Sequence, residues 1–295
     1  MKRMFHCAAL AVCVSLIGSV RAEPVSTLEW MVYDVPPYEI VTGPYKGQGA
    51  ADGLRQRLMT LLPEYAHSEP VLVNGERMHR LLKKQNVCHT ALIRSPEFEQ
   101  SMYLSIAVIM ANTHVIITNK EHYDTLIAQG ASASVQQLLQ QTPLKLGHLS
   151  RSLGPEVDAI LASESGNPNI VDRRSAYTDQ GLFKMLHKGR IDYFIELPSQ
   201  GMYWNMLNPD KQVYMIPISE MRERYIIGRV GCTKNPWGRK VIERVNQVMK
   251  EQRMDENYIR SLTFRWVPQS MREDFIEHYT RIIAADNWSN VGAAE

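Results

Sequence analysis

The chain lacks the short motifs that usually give an enzyme away. It has no Gly-x-Ser-x-Gly, no glycine-rich phosphate loop and no His-Glu-x-x-His, so nothing marks a serine hydrolase, a phosphate cradle or a zinc hydrolase. Its nine histidines are scattered, with no two at metal-ligand spacing, and no metal or other cofactor is expected. Nor is one charge in excess: 33 Lys and Arg stand against 31 Asp and Glu, too even for the basic footprint of a nucleic-acid binder. Beyond the N-terminus no apolar run approaches the ~20 residues needed to cross a bilayer. Cysteine is scarce, four in 295 residues, and the number falls further once the N-terminus is read.

What is present begins with an address. MKRMFHCAALAVCVSLIGSVRA opens on two cations, Lys2 and Arg3, runs apolar from about Cys7 to Val20, and closes on Val20-Arg21-Ala22. That is the layout of a secretory signal peptide over residues 1–22, cleaved after Ala22. Its apolar run of about fourteen residues is short for a membrane anchor, and bulky Val12 before Cys13 does not suit a lipidation box. Removing it takes away Lys2, Arg3 and Arg21 and two of the cysteines. The mature chain then has 30 cations against 31 acids, and only Cys88 and Cys232 remain. They would sit in a periplasmic or extracellular compartment that favours disulfides. About 273 residues are left, a length that suits two lobes.

Strand and helix patterns alternate along that length. LEWMVYDV (28–35) reads as a strand turned by VPPY, and AADGLRQRLMTLL (50–62) as a helix with apolar residues at helical spacing. VCHTALI, LKLGHL, NIVDRRSA, IDYFIEL and YIIGRVGC read as strands, and IAVIMANTHVIITNK (106–120) as one long extended segment. GPEVDAILASE is a helix with Pro155 in its first turn, and NPWGRKVIERVNQVMKE is one with Asn235 as N-cap and Pro236 at its first position. The last helix is expected to open at Ser270, with Glu273 three residues on as a capping box. Such alternation argues α/β architecture with mainly parallel sheets.

LLKKQNVCHTAL (81–92) and MLHKGRIDYFIE (185–196) also share a layout. Each ends an amphipathic helix, turns, and enters a short apolar strand. If the two are equivalent, the molecule has two similar lobes aimed at a common cleft. Ligands of open α/β sheets sit beyond the carboxyl ends of strands. That nominates Asp34 to Tyr38, Arg94 to Phe98, His148 to Leu153, and the residues from Glu196 onward.

Three stretches together carry a family resemblance. WMVYDVPPYEIVTGPYKGQGAADGL resembles the opening strand, Pro-Pro-aromatic turn, glycine and first helix of the bacterial extracellular solute-binding proteins of family 3. LLKKQNVCHTALIRSPEFEQSMYLS is similar to that family's helix, strand and "Thr-Pro-Glu-Arg" loop. HKGRIDYFIE resembles the second lobe's glycine–cation–hydrophobic–Asp strand. The likeness covers roughly residues 27–265. It implies a two-lobe periplasmic-binding-protein-like fold of type II, each lobe a mainly parallel sheet flanked by helices, with the cleft between them. Lobe 1 would take residues 23–112 and 222–295, and lobe 2 residues 113–221.

The resemblance implies a monomer that closes on a small solute by hinge motion. The solute would be amino-acid-like or another small polar or anionic compound, passed to a membrane transporter of the ABC type or to a sensor. Amino-acid-binding members hold the ligand carboxylate with an arginine where this chain has Phe98. Arg94, four residues earlier, is the substitute candidate, with Ser95 beside it. Glu196 lies within one position of the acid that meets the ligand's ammonium group, and Tyr33, Tyr38, Phe98 and Tyr203 would suit a ring or sugar. Arg151 and Ser152, with Ser150, precede a helix N-terminus, a setting that favours an anion, although Ser152 can equally be a plain cap.

Cys88 and Cys232 are expected to pair, because YIIGRVGC stands where the fold's returning strand lies beside VCHTALI. Two other readings stay open. One is a lyase resembling the cyclohexadienyl dehydratases, with Glu196 as general acid if burial raises its pKa. The other is a lobe pair that only mediates interactions.

Overall fold

The structure, a computed structural model, describes residues 26–287 except 129, 150, 151, 174–179 and 223, together with Val291. The signal segment 1–22 and Arg151 therefore lie outside the described residues. The chain begins with β1 (Thr27–Val32), α1 (Ala50–Leu61), β2 (Ala66–His67), β3 (Val71–Leu72), α2 (Gly75–Leu82), β4 (Val87–Ile93), α3 (Pro96–Ser101) and β5 (Met102–Asn112). It crosses to a second sheet with β6 (Val115–Thr118), α4 (Lys120–Ile127), α5 (Val135–Gln141), β7 (Leu146–Leu149), α6 (Pro155–Ser163), β8 (Ile170–Arg173), α7 (Gln180–His187), β9 (Tyr193–Glu196), α8 (Pro198–Leu207) and β10 (Tyr214–Pro217). It returns as β11 (Tyr225–Thr233), followed by α9 (Pro236–Gln252), α10 (Glu256–Thr263) and α11 (Arg272–Ala285).

Strand order in the first sheet is β2-β1-β4-β11-β5, with β3 also pairing β1; in the second it is β10-β6-β9-β7-β8. β1 runs parallel to β2, β3 and β4, and β7 parallel to β8 and β9. The strands that carry the chain between lobes are antiparallel to their neighbours. β11 returns beside the outgoing β5 and against β4, and β6 lies against β9 and β10. A strand that leaves a lobe and one that comes back must run in opposite senses, so each sheet is mixed at its crossing side.

The shared layout of 81–92 and 185–196 has a structural counterpart. β4 lies between a parallel neighbour, β1, and an antiparallel one, β11; β9 lies in the same way between β7 and β6. Each is followed by a helix with proline at its start, Pro96 and Pro198. Both strands are almost wholly buried, which their apolar runs require.

The first sheet has a core on each face. Trp30, Leu54, Leu58, Val241, Val245 and Phe275 belong to one, under α1, α9 and α11; Met31, Met78, Val87, Met102 and Leu104 belong to the other. The second sheet is packed likewise, around Ile116, Leu146 and Tyr193 on one side and Ile117, Phe183 and Phe194 on the other. Helix starts are fixed by side chains: Asn74, Asn119, Ser134 and Asn235 each accept from a backbone N–H one turn on, satisfying donors that helix geometry leaves open. Cys88 and Cys232 face each other in register on β4 and β11 and form a disulfide.

Two local expectations need correction. The extended segment 106–120 is two strands, broken at Thr113–His114 where the chain leaves the first lobe. The last helix starts at Arg272, and its N-cap residue Met271 makes no side-chain cap bond. Gln269–Met271 already forms a 3-10 turn, so position 270 is not the extended residue that an N-cap requires. Arg272 instead donates to the carbonyls of Phe264 and Val267.

Candidate functional site

The two crossover segments lie side by side, joined by Thr113 N–H to the Arg224 carbonyl at 2.8 Å. Next to them a cleft with about 1150 Å³ of empty space, part of it open to solvent, separates the lobes. Its first-lobe wall starts where β1 ends. Tyr33 follows the strand, the Pro36–Pro37 peptide is cis, and Val35 bridges back to Glu39. Tyr38 and Glu39 thereby face the cleft beside Tyr33. Gly49 makes this turn possible, since a Cβ there would come within 2.2 Å of the Tyr38 carbonyl oxygen. The middle of the wall comes from β4, where His89, Ala91, Leu92 and Ile93 line the cleft. Phe98 of α3 and Ile109 and Met110 of β5 complete it. The second lobe contributes Ser152, Glu196, Leu197 and Gln200, and His114 stands at the crossover.

A buried polar cluster backs the first-lobe wall. The Tyr33 N–H donates to Glu39 Oε2 at 2.7 Å, and His89 Nε2 lies 3.4 Å from the same oxygen. Asp52 accepts from the Ile40 and Gly49 amides and from Arg55, which ties α1 to the turn. Burial, with the Glu39 and Glu97 carboxylates, pushes the Tyr33 phenol up to about 12. Burial raises the Tyr38 phenol as well, against the hydrogen bond to Ser199. Both phenols are therefore neutral donors at physiological pH. Among the described residues no group of three or more His, Cys, Asp and Glu is arranged to hold a metal.

The sequence candidates divide by where the backbone puts them. Tyr33, Tyr38, Phe98, Ser152 and Glu196 line the cleft. Glu196 is 1% exposed and accepts the Leu197 N–H. Asp34, Arg94, Ser95 and Tyr203 are not among the lining residues. Burial pushes the Asp34 carboxyl up, opposed by a backbone bond from Val41. Arg94 pairs with Glu99 at 2.8 Å, its side chain 52% exposed. Ser95 Oγ caps α3 by accepting the Phe98 N–H. Tyr203 is buried where the lobes touch, its ring against Tyr45 and Trp266.

Sequence reasoning passed over Glu39 and His89, and included Gln200 and Ser199 only within the open stretch from Glu196 onward. For the first two a signal existed. Glu39 directly follows the Pro-Pro-aromatic turn, and strand alternation already placed His89 on the face opposite Cys88. Gln200 and Ser199 lie in the first turn of α8, beyond the carboxyl end of β9, where the same rule pointed.

Several solved structures resemble this chain at low identity. An ancestral arginine-binding protein bound to arginine is 14% identical with a TM-score of 0.59, over 83% of this chain and 99% of that one. A histidine kinase sensor domain with similarity to periplasmic binding proteins is 14% identical with a TM-score of 0.59, over 82% and 96%. The arginine-, lysine-, histidine-binding protein ArtJ from the thermophilic bacterium Geobacillus stearothermophilus is 15% identical with a TM-score of 0.56, over 84% and 99%. No family model matches the chain, and no curated protein matches it. The chain thus has the two-lobe, periplasmic-binding-protein-like fold. Among the described residues no helix is long and apolar enough to cross a membrane.

Proposed function

We propose that this chain is a periplasmic solute-binding protein, exported by its N-terminal signal, that captures a small organic molecule between its lobes. Residues 23–112 with 222–295 would move as one body and 113–221 as the other, joined by the segments near 106–116 and 217–226. The bound molecule would be handed to a membrane transporter or sensor. The reading rests above all on the cleft itself, walled by both lobes and spanned at its edge by the Tyr38–Ser199 hydrogen bond. Similar proteins that carry arginine- or histidine-binding names, or act as sensor domains, add support at the level of the fold.

The mature protein should co-purify with, or titrate, a small molecule in saturable fashion, and its radius of gyration should fall when the molecule binds. Mass spectrometry should recover that molecule unchanged after prolonged incubation. Conversion of the molecule would favour the dehydratase-like reading, with Glu196 as the acid to test. Dimensions that stay the same with a confirmed tight ligand would remove the hinge.

A further inference from the structure

On the first-lobe wall Asp52, Arg55, Glu39 and His89 lie together, none with a side chain more than 8% exposed. One guanidinium faces two carboxylates. Arg55 Nη2 pairs with Asp52 Oδ1 at 2.8 Å, while its Nη1 stops 4.0 Å from Glu39 Oε1. His89 Nδ1 accepts the Ala91 N–H at 3.2 Å, which leaves Nε2 as the ring nitrogen on the Glu39 side. Glu39 Oε1, Arg55 Nη1 and His89 Nε2 have no hydrogen-bond partner. A buried acceptor without a donor is costly. Where such a group faces a ligand cleft, the ligand is the natural source of what is missing.

Glu39 and His89 do face the cleft, and the wall around them is apolar, with Ala91, Ile93, Phe98 and Ile109. Tyr33, its ring 5.0 Å from that of His89, adds an aromatic face that attracts cations. Among the described residues that line the cleft there is no lysine or arginine. A ligand carboxylate therefore meets no counter-charge from them, and Arg94 is turned to Glu99.

We infer that the cleft takes an amine with an apolar body, its cationic nitrogen against Glu39 and its hydrocarbon or ring on the Phe98–Ile109 wall. An α-amino acid or an anion is disfavoured. The inference rests on the solute-binding reading and names the ligand class for the same site.

Two matched series on the intact mature protein test it by isothermal titration. Phenethylamine, phenylalanine and 3-phenylpropanoate share a ring body; pentylamine, norleucine and hexanoate share an alkyl one. In at least one series the amine should bind tenfold or more tightly than its amino acid and its acid, and Glu39→Gln should abolish that preference. Tighter binding of an amino acid or an acid overturns the inference and leaves solute binding standing. So does an amine preference that survives in a folded Glu39→Gln protein. If that variant does not fold, the charge order on the unaltered protein decides alone. Silence from both series also overturns the inference. It removes the solute-binding reading only if no co-purifying molecule closes the lobes either.

Discussion

Tyr38 Oη and Ser199 Oγ lie 2.8 Å apart and tie the turn after β1 to the first turn of α8 in the other lobe. Tyr38→Phe keeps the ring and removes this bond. A net hydrogen bond contributes about 0.5–1.5 kcal/mol, so the lobes should open more often and ligand affinity should fall about 2- to 12-fold. Small-angle scattering of the unliganded variant should show a larger radius of gyration than the parent protein. Equal dimensions and equal affinity would mean that the bond does not bias closure. Trp266, in contact with Tyr203 across the lobe boundary, is the better fluorescence reporter. Trp30 is in the first-lobe core and Trp204 in the second-lobe core.

The strands and helices were legible because their signals are local: apolar period, asparagine and serine caps, and prolines at helix starts. The two-lobe arrangement needed the order of three stretches, since no one of them is specific. The polar cluster was harder to read. Glu39, Asp52, Arg55 and His89 come from a turn, a helix and a strand, and no spacing rule connects them. Arg94 shows the converse case. Its place at a strand end suggested the cleft, but Glu99, five residues on, accepts from its Nε and holds it at the surface. Helix α11 fell beyond the part that the resemblance covered, yet Phe275, Tyr279 and Ile283 belong to the first-lobe core.

That placement of Arg94 gives a plain expectation. An exposed ion pair contributes about 0–1 kcal/mol, and Arg94 is absent from the cleft lining. Arg94→Ala should leave ligand affinity within about twofold and stability within ~1 kcal/mol. A tenfold loss of affinity in a titration would return Arg94 to the site.

The C-terminal helix is strapped down by charge. Asp286 accepts from Arg229 and from the Ala107 N–H, and Arg253 lies 3.9 Å from it. Burial pushes the Asp286 carboxyl up. The Arg229 hydrogen bonds, the Ala107 amide and the fields of Arg229 and Arg253 together bring it below the usual range. A folded-state pKa below the unfolded one means stability that is fully present above the unfolded value of about 3.9 and lost as pH falls through the folded value. Asp286→Asn should therefore cost about 1.5–3 kcal/mol near neutral pH, the scale of hydrogen bonds to a charged group, with the upper end reduced by partial exposure. The gap between variant and parent in urea unfolding should be flat from about pH 5 to 8 and close below about pH 4. A gap independent of pH down to acid conditions would assign the loss to packing.

The disulfide gives the last prediction. Cys88 and Cys232 are register partners on β4 and β11, both fully buried in the core cluster that also holds Trp30 and Val241. The bond closes a loop with a sequence separation of 144, for which chain entropy alone suggests about 5 kcal/mol. The double variant Cys88→Ser, Cys232→Ser should lose about 2–5 kcal/mol in urea unfolding. Neither cysteine lines the cleft, so the variant that remains folded should bind ligand with unchanged affinity. The bond joins the returning strand to the centre of the first sheet, so its loss should also speed hydrogen exchange in β11 more than in β9. Peptide mapping of the natively exported protein under non-reducing conditions provides the direct check. A linked peptide pair is expected, and a freely alkylated Cys88 would show that the bridge does not form.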